Sequence, residues 1–180
     1  MSSFLSVKSK HGFTLVELIV AIAVVAIITT IALPNLNTFL VKMRVDNEIT
    51  EMQRLLLTAR NTAINTGKNT TVCPLSNGAC TTNWQNEISV FTADETIKIK
   101  DAIKSSDKLQ FSSTSAVVYA PSGRLVTPSV QSTFKYCPKS NADESRGIDL
   151  SISGRTYLSS DTDNDGKDED RSGNEIACSN

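Results

Sequence analysis

The chain has 180 residues, 18 Lys and Arg against 19 Asp and Glu, a net charge of -1 and one histidine, His11. A balance so close to neutral gives no electrostatic footprint for nucleic acid. With its one histidine beside the N-terminus, the chain has little to offer for a histidine base, a Ser-His or Cys-His pair, or a histidine-ligated metal. The length suits one domain plus an appendage.

A short positive leader with Lys8 and Lys10 precedes Gly12, and a dense apolar block runs from Phe13 to Leu33. As a helix that block measures about 31 Å, which matches a hydrocarbon core of about 30 Å. Lys8 and Lys10 should keep the leader on the cytoplasmic side. No charged side chain occurs from Leu18 to Val41, so Glu17 is the exception at the head of the block. An ionised carboxylate there is costly unless it finds a partner. If the chain were cut after Gly12, the new ammonium group of Phe13 could neutralise Glu17 of the same or an adjacent subunit. A secretory signal would instead be cut behind the apolar run. A plain anchor has no use for Glu17 or the Gly12-Phe13 junction, and a buried core helix would not be so uniformly apolar.

Gly12-Phe13-Thr14-Leu15-Val16-Glu17-Leu18 resembles the class III prepilin cleavage and methylation motif. That resemblance implies a prepilin peptidase that cuts after Gly12 and methylates Phe13. It makes Glu17 the assembly glutamate and Pro34 the site of a helix kink or local melting, since proline removes a backbone donor and crowds the preceding turn.

Beyond Pro34, Val45, Ile49, Met52, Leu56, Ala59 and Ala63 recur at spacings of three and four, one stripe of an amphipathic helix. Arg44 with Glu48 and Glu51 with Arg54 are spaced to pair on other faces. Asn65, Thr66 and Gly67 end the helix. Short apolar runs separated by turn residues follow: 70–73, 88–91, 97–99, 109–111, 116–120, 125–126, 133–136, 148–152 and 156–158. They predict antiparallel strands. The fold class is therefore α+β: a long N-terminal helix, with a transmembrane half and an amphipathic half, packed on an antiparallel β-sheet domain. The divisions are 1–12 as leader, 13–34 as transmembrane and assembly helix, 35–66 as amphipathic helix and 67–180 as a β-rich periplasmic domain.

Cys73, Cys80, Cys137 and Cys178 suggest two disulfides in an exported domain, with three possible pairings. The short loop through Pro74, Asn77 and Gly78 favours Cys73 with Cys80, which leaves Cys137 with Cys178. No CxxC pair speaks for zinc.

Tyr119-Ala-Pro121-Ser-Gly123-Arg124 resembles the aromatic-x-Pro-x-Gly turn between strands of the GspH/FimT/FimU branch of type IV pilin-like proteins, and Ser151-Ile-Ser-Gly154-Arg155 resembles its late Gly-Arg strand. Cys137 and Cys178 are similar to the disulfide that secures the C-terminus in FimU-like minor pilins. The resemblance implies a minor pilin that takes part in type IV pilus assembly and initiation, at or near the tip. The alternative is a type II secretion pseudopilin of the GspH kind, and further off a FimT-like DNA-uptake receptor. Implied partners are other pilin and minor pilin subunits, prepilin peptidase, the inner-membrane assembly machinery, and the membrane itself before assembly. The implied location is the bacterial inner membrane, single-pass with a periplasmic domain, and later the filament. No enzymatic role follows. DNA binding of the FimT kind uses a Gly-Arg-x-Arg stretch, which here reads Gly154-Arg155-Thr156-Tyr157. The acidic tail that follows would repel phosphate, so nucleic acid is not an expected partner.

The segment Asp161-Thr-Asp163-Asn-Asp165-Gly166-Lys167-Asp168-Glu169-Asp170 opens like a calcium loop, with alternate carboxylates and a glycine for the sharp turn. Asp161, Asp163, Asp165 and Glu169 are the candidate ligands, and calcium is the one cofactor to weigh. Ser172 stands where the closing glutamate belongs, so Asp168 or Asp170 would have to substitute. The competing reading is a solvated acidic loop.

Overall fold

The computed structural model describes residues 12–113 and 116–179, and the backbone alone at positions 34 and 35. Residues 1–11, the bulk of the expected leader, lie outside the described residues. The chain divides into two compact units, Met1–Phe39 and Leu40–Asn180. The second begins well before residue 67, because the amphipathic half of the helix belongs to the globular unit.

In the first unit, helix α1 (Leu15–Thr66) starts on a reciprocal pair of bonds. Thr14 Oγ1 accepts from the Glu17 amide at 3.2 Å, and the Glu17 carboxylate reaches back to the Thr14 amide at 3.5 Å. This is a capping box, which satisfies two otherwise orphaned donors at the helix start. The following apolar side chains are exposed, among them Leu18, Ile22, Val25 and Ile28. Thr29 and Thr30 return their hydroxyls to the carbonyls of Ala26 and Ile27 at 2.9 and 2.8 Å, leaving an apolar surface. By length and composition the helix can cross a membrane. Helical backbone continues across Pro34, so the helix does not end there.

In the second unit the stripe turns inward. Val45, Ile49, Met52, Leu56, Ala59 and Ala63 are all buried, joined by Val41 and Leu55. The helix stops where Gly67 takes a positive φ of 66° and its amide bonds the Ala63 carbonyl at 3.1 Å. The described residues after it form ten strands: β1 (Thr70–Ser76), β2 (Ala79–Cys80), β3 (Ile88–Phe91), β4 (Thr96–Lys100), β5 (Lys108–Phe111), β6 (Val117–Tyr119), β7 (Leu125–Thr127), β8 (Ser132–Cys137), β9 (Arg146–Leu150) and β10 (Thr156–Leu158). One sheet has the order β4-β3-β1-β6-β7, with β2 attached to β1, and the other has the order β10-β9-β8-β5. Every pairing is antiparallel. The stripe of α1 and the inward side chains of both sheets, including Val72, Val90, Phe134, Ile148 and Leu150, make one hydrophobic cluster. Trp84 and Phe111 extend it around Phe134, with Trp84 edge-on at 4.8 Å and Phe111 stacked at 4.0 Å.

The charged residues of α1 do not pair along the helix as their spacing suggested. Arg44 instead bonds Asp107 at 3.0 Å, and Glu48 and Glu51 take Lys100 at 2.7 and 3.4 Å. A tertiary partner that is itself buried makes a stronger bond than an exposed neighbour one turn away, so the tertiary pairs win.

Candidate functional site

The head of α1 is the first candidate. Phe13 is 84% exposed, and a side chain added at Gly12 would meet nothing within 4 Å. Among the described residues nothing crowds the Gly12-Phe13 bond. Glu17 bonds the amide of Thr14, so its carboxylate is drawn back toward the residue that follows Phe13. The Thr-x-x-Glu pattern that caps the helix is visible in Thr14-Leu-Val-Glu17, although the unusual placement of the charge draws attention first. The side chain of Pro34 lies outside the described residues.

Within the second unit, the amphipathic half of α1 is held by a set of polar ties. Asp107, 1% exposed, accepts from Tyr136 Oη at 2.8 Å, Arg44 Nε at 3.0 Å, Ser106 Oγ at 2.9 Å and the Lys139 amide at 3.3 Å. Burial pushes the Asp107 carboxyl up. The two hydroxyls, the amide and the Arg44 charge outweigh burial and hold it below 3.8. Lys100, 3% exposed, anchors Glu48 in the same way. Arg146 links Asp46 of the helix, at 2.8 Å, to Asp168 of the C-terminal segment, at 3.5 Å. Nothing in the local sequence marks Asp107, because all its partners but Ser106 come from positions 44, 136 and 139.

The two glycine turns singled out by sequence meet in space. Gly123 and Gly154 have φ of 75° and 78°, and Arg60 Nε donates to the Gly123 carbonyl at 2.9 Å. A methyl group on Gly154 would lie 2.1 Å from the Gly123 carbonyl oxygen. The Leu125 amide bonds the Ile152 carbonyl at 3.0 Å, so the contact also links the two sheets, β7 to the β9–β10 turn.

The cysteines form two disulfides, Cys73 with Cys80 and Cys137 with Cys178. The first spans the β1–β2 hairpin, whose Asn77-Gly78 turn has positive φ at both positions. The second fastens the last described residues to the end of β8.

In the acidic loop, carboxylate oxygens of Asp161, Asp163, Asp165 and Glu169 all lie within 4.8 Å of one another. Asp168 and Asp170 are not among them. Asp168 accepts from Ser159 Oγ at 2.7 Å, and Asp170 accepts from the amides of Ser172 and Asn174 at 2.8 and 3.0 Å. The converging group is therefore the set of four named from the sequence, and Asp168 and Asp170 bond elsewhere.

A family model described as prokaryotic N-terminal methylation motif matches residues 7–33. A second, described as type II transport protein GspH, matches residues 48–154. Among curated proteins there is no significant match. The fold is similar to that of the type IV minor pilin FimU of Pseudomonas aeruginosa strain PAO1, at 19% identity and a TM-score of 0.57 over 68% of this chain and 92% of that one. A second crystal form of FimU gives 0.54 at 19% identity, over 64% of this chain and 92% of that one. The minor pseudopilin EpsH from the type II secretion system of Vibrio cholerae is also similar, at 15% identity and a TM-score of 0.47, over 64% of this chain and 95% of that one.

Proposed function

The chain belongs to the GspH family of type II transport proteins, whose model takes in residues 48–154, more than half its length, and on that premise we propose that it is a minor pilin taking part in the assembly and initiation of a type IV pilus, at or near the tip. The observation that carries this reading is the head of α1. An N-terminal methylation motif overlies an exposed apolar helix with one carboxylate at its start, and the same helix continues into a folded domain.

In this reading a prepilin peptidase cuts between Gly12 and Phe13 and methylates the new amine. Before assembly, residues 13–34 hold the subunit in the inner membrane, with the domain on the periplasmic side. Extraction by the assembly machinery moves the helix into a bundle of other pilin helices. There the Phe13 ammonium and Glu17 neutralise one another, so a charge that is costly in lipid becomes a docking signal. A bend at Pro34 would help the apolar half follow the bundle axis. The second unit makes the lateral contacts, and no catalytic role is assigned to it.

The family description favours a second reading, a pseudopilin of a type II secretion system. A DNA-uptake role has weaker support, because the six acidic residues from Asp161 to Asp170 oppose phosphate.

Mass spectrometry of the membrane-extracted protein tests the central step. It should find Met1 to Gly12 removed and one methyl group on Phe13. A subunit that still begins at Met1, or is trimmed behind Leu33, would sink the proposal. Glu17→Ala should abolish incorporation while the second unit stays folded. Deletion of the gene distinguishes the two filaments by the loss of surface pili or the loss of secreted proteins.

A further inference from the structure

We propose that the loop from Asp161 to Glu169 is a calcium site that fastens the C-terminal segment to the second sheet. The carboxylates of Asp161, Asp163, Asp165 and Glu169 come within 4.8 Å of one another. Oxygens sharing one calcium ion at bonds of about 2.3–2.6 Å lie at most about 5 Å apart, and all four meet that limit. The amides of the loop already hold three of these side chains in place: Asn164 and Gly166 donate to Asp161, Asp165 to Asp163, and Lys167 to Asp165.

The observation that points beyond a solvated acidic loop is Glu169. It is 5% exposed, its Oε2 accepts from the Thr162 amide and hydroxyl at 2.7 and 2.6 Å, and its Oε1 is buried without a hydrogen-bond partner. A buried carboxylate oxygen with no donor, on a side chain that joins three further carboxylates, is strongly unfavourable. Lys167 does not relieve it. Its ammonium sits 3.0 Å from Glu175 and 3.9 Å from Asp165. A divalent cation bound by oxygen supplies the missing charge and the missing ligand at once. Carboxylate-rich, irregular oxygen ligation suits calcium better than magnesium, which demands a near-ideal octahedron.

The loop's place in the fold gives the ion a structural task. The Ser159 amide bonds the Gly147 carbonyl of β9, the Arg171 amide bonds Asp149, and Cys178 closes on Cys137. Residues 161–169 are the stretch between the first and second of these ties. Glu169 also bridges Ser160 and Glu175. Asp168 already joins this stretch to Arg146, and an ion would add a tie where four carboxylates otherwise repel.

Calorimetric titration of calcium chloride into the full chain in detergent, after chelator dialysis, should give one ion per chain with Kd at or below about 1 mM, the range of extracellular calcium modules. Magnesium should bind at least tenfold more weakly. Calcium should raise the melting temperature and slow cleavage after Lys167 by endoproteinase Lys-C at least tenfold. Asp163→Asn keeps the oxygen that accepts from Asp165 and removes the charge. It should melt like the parent in chelator, bind calcium at least tenfold more weakly and gain no protection. Glu169→Gln should behave likewise and serves if Asp163→Asn is poorly folded. No heat and no thermal shift at about 10 mM calcium would overturn the proposal. So would parent-like affinity in both variants, which would put the ion elsewhere.

Discussion

A carboxylate as enclosed as Asp107 is tolerated because each of its oxygens accepts two hydrogen bonds, Ser106 and Lys139 at Oδ1, Arg44 and Tyr136 at Oδ2. Truncation would leave the Tyr136 hydroxyl buried without an acceptor and Arg44 without its counter-charge. Asp107→Ala should lower the unfolding free energy by about 2–4 kcal/mol, measured by urea denaturation at neutral pH. The acid response follows from the same contacts. Because the folded carboxyl is held below its ordinary 3.8, the unfolded chain takes up the proton more readily. The stabilisation is complete above the ordinary value and is lost as pH falls through the depressed folded one. Urea midpoints recorded from about pH 5 to pH 2 should therefore decline less steeply in Asp107→Asn than in the parent. Glu17 serves at the same scale in another way. Its bond to the Thr14 amide shows that it caps its own helix, which holds the carboxylate beside Thr14.

At the level of elements, the long helix is two different surfaces on one backbone. The segment up to Leu33 is apolar all round and exposed, and the segment from Val41 buries one stripe. The sheets depend on close turns more than on strand length, since β6, β7 and β10 have three residues each. The meeting of Gly123 and Gly154 is the narrowest of these turn contacts. Gly154→Ala places a side chain in a left-handed conformation and drives it into the backbone of the other turn. A loss of about 3 kcal/mol or more is expected by thermal or urea unfolding. Ser153→Ala beside it should cost little, its hydroxyl contact with Ser151 being exposed.

For the molecule as a whole, the two disulfides differ in what they close. Cys73–Cys80 closes 7 residues and Cys137–Cys178 closes 41. By chain entropy the shorter is worth about 2 kcal/mol and the longer about 4. Replacing both members of the longer pair with serine should therefore lower the denaturation midpoint more than the same change in the shorter pair. It should also expose the segment after Ser159 to proteolysis. The longer link, the Arg146 bridge between Asp46 and Asp168, and the acidic loop all act on the same end of the chain.

The apolar block, Glu17 at its head, the stripe from Val45 to Ala63, the nine apolar runs that became strands and the turn glycines were all legible in the sequence. Each is set by residues within a turn or a strand of one another, and their period states what they do. The β2 strand was not foreseen, because its two residues are too few to register as an apolar run. What only the tertiary structure decided was strand order, the choice of Asp107 and Lys100 over helical neighbours for Arg44 and Glu48, the contact of Gly123 with Gly154, and the burial of Glu169 within the acidic loop. Those outcomes depend on which distant groups are buried together, and burial is a property of the closed chain that no local window contains.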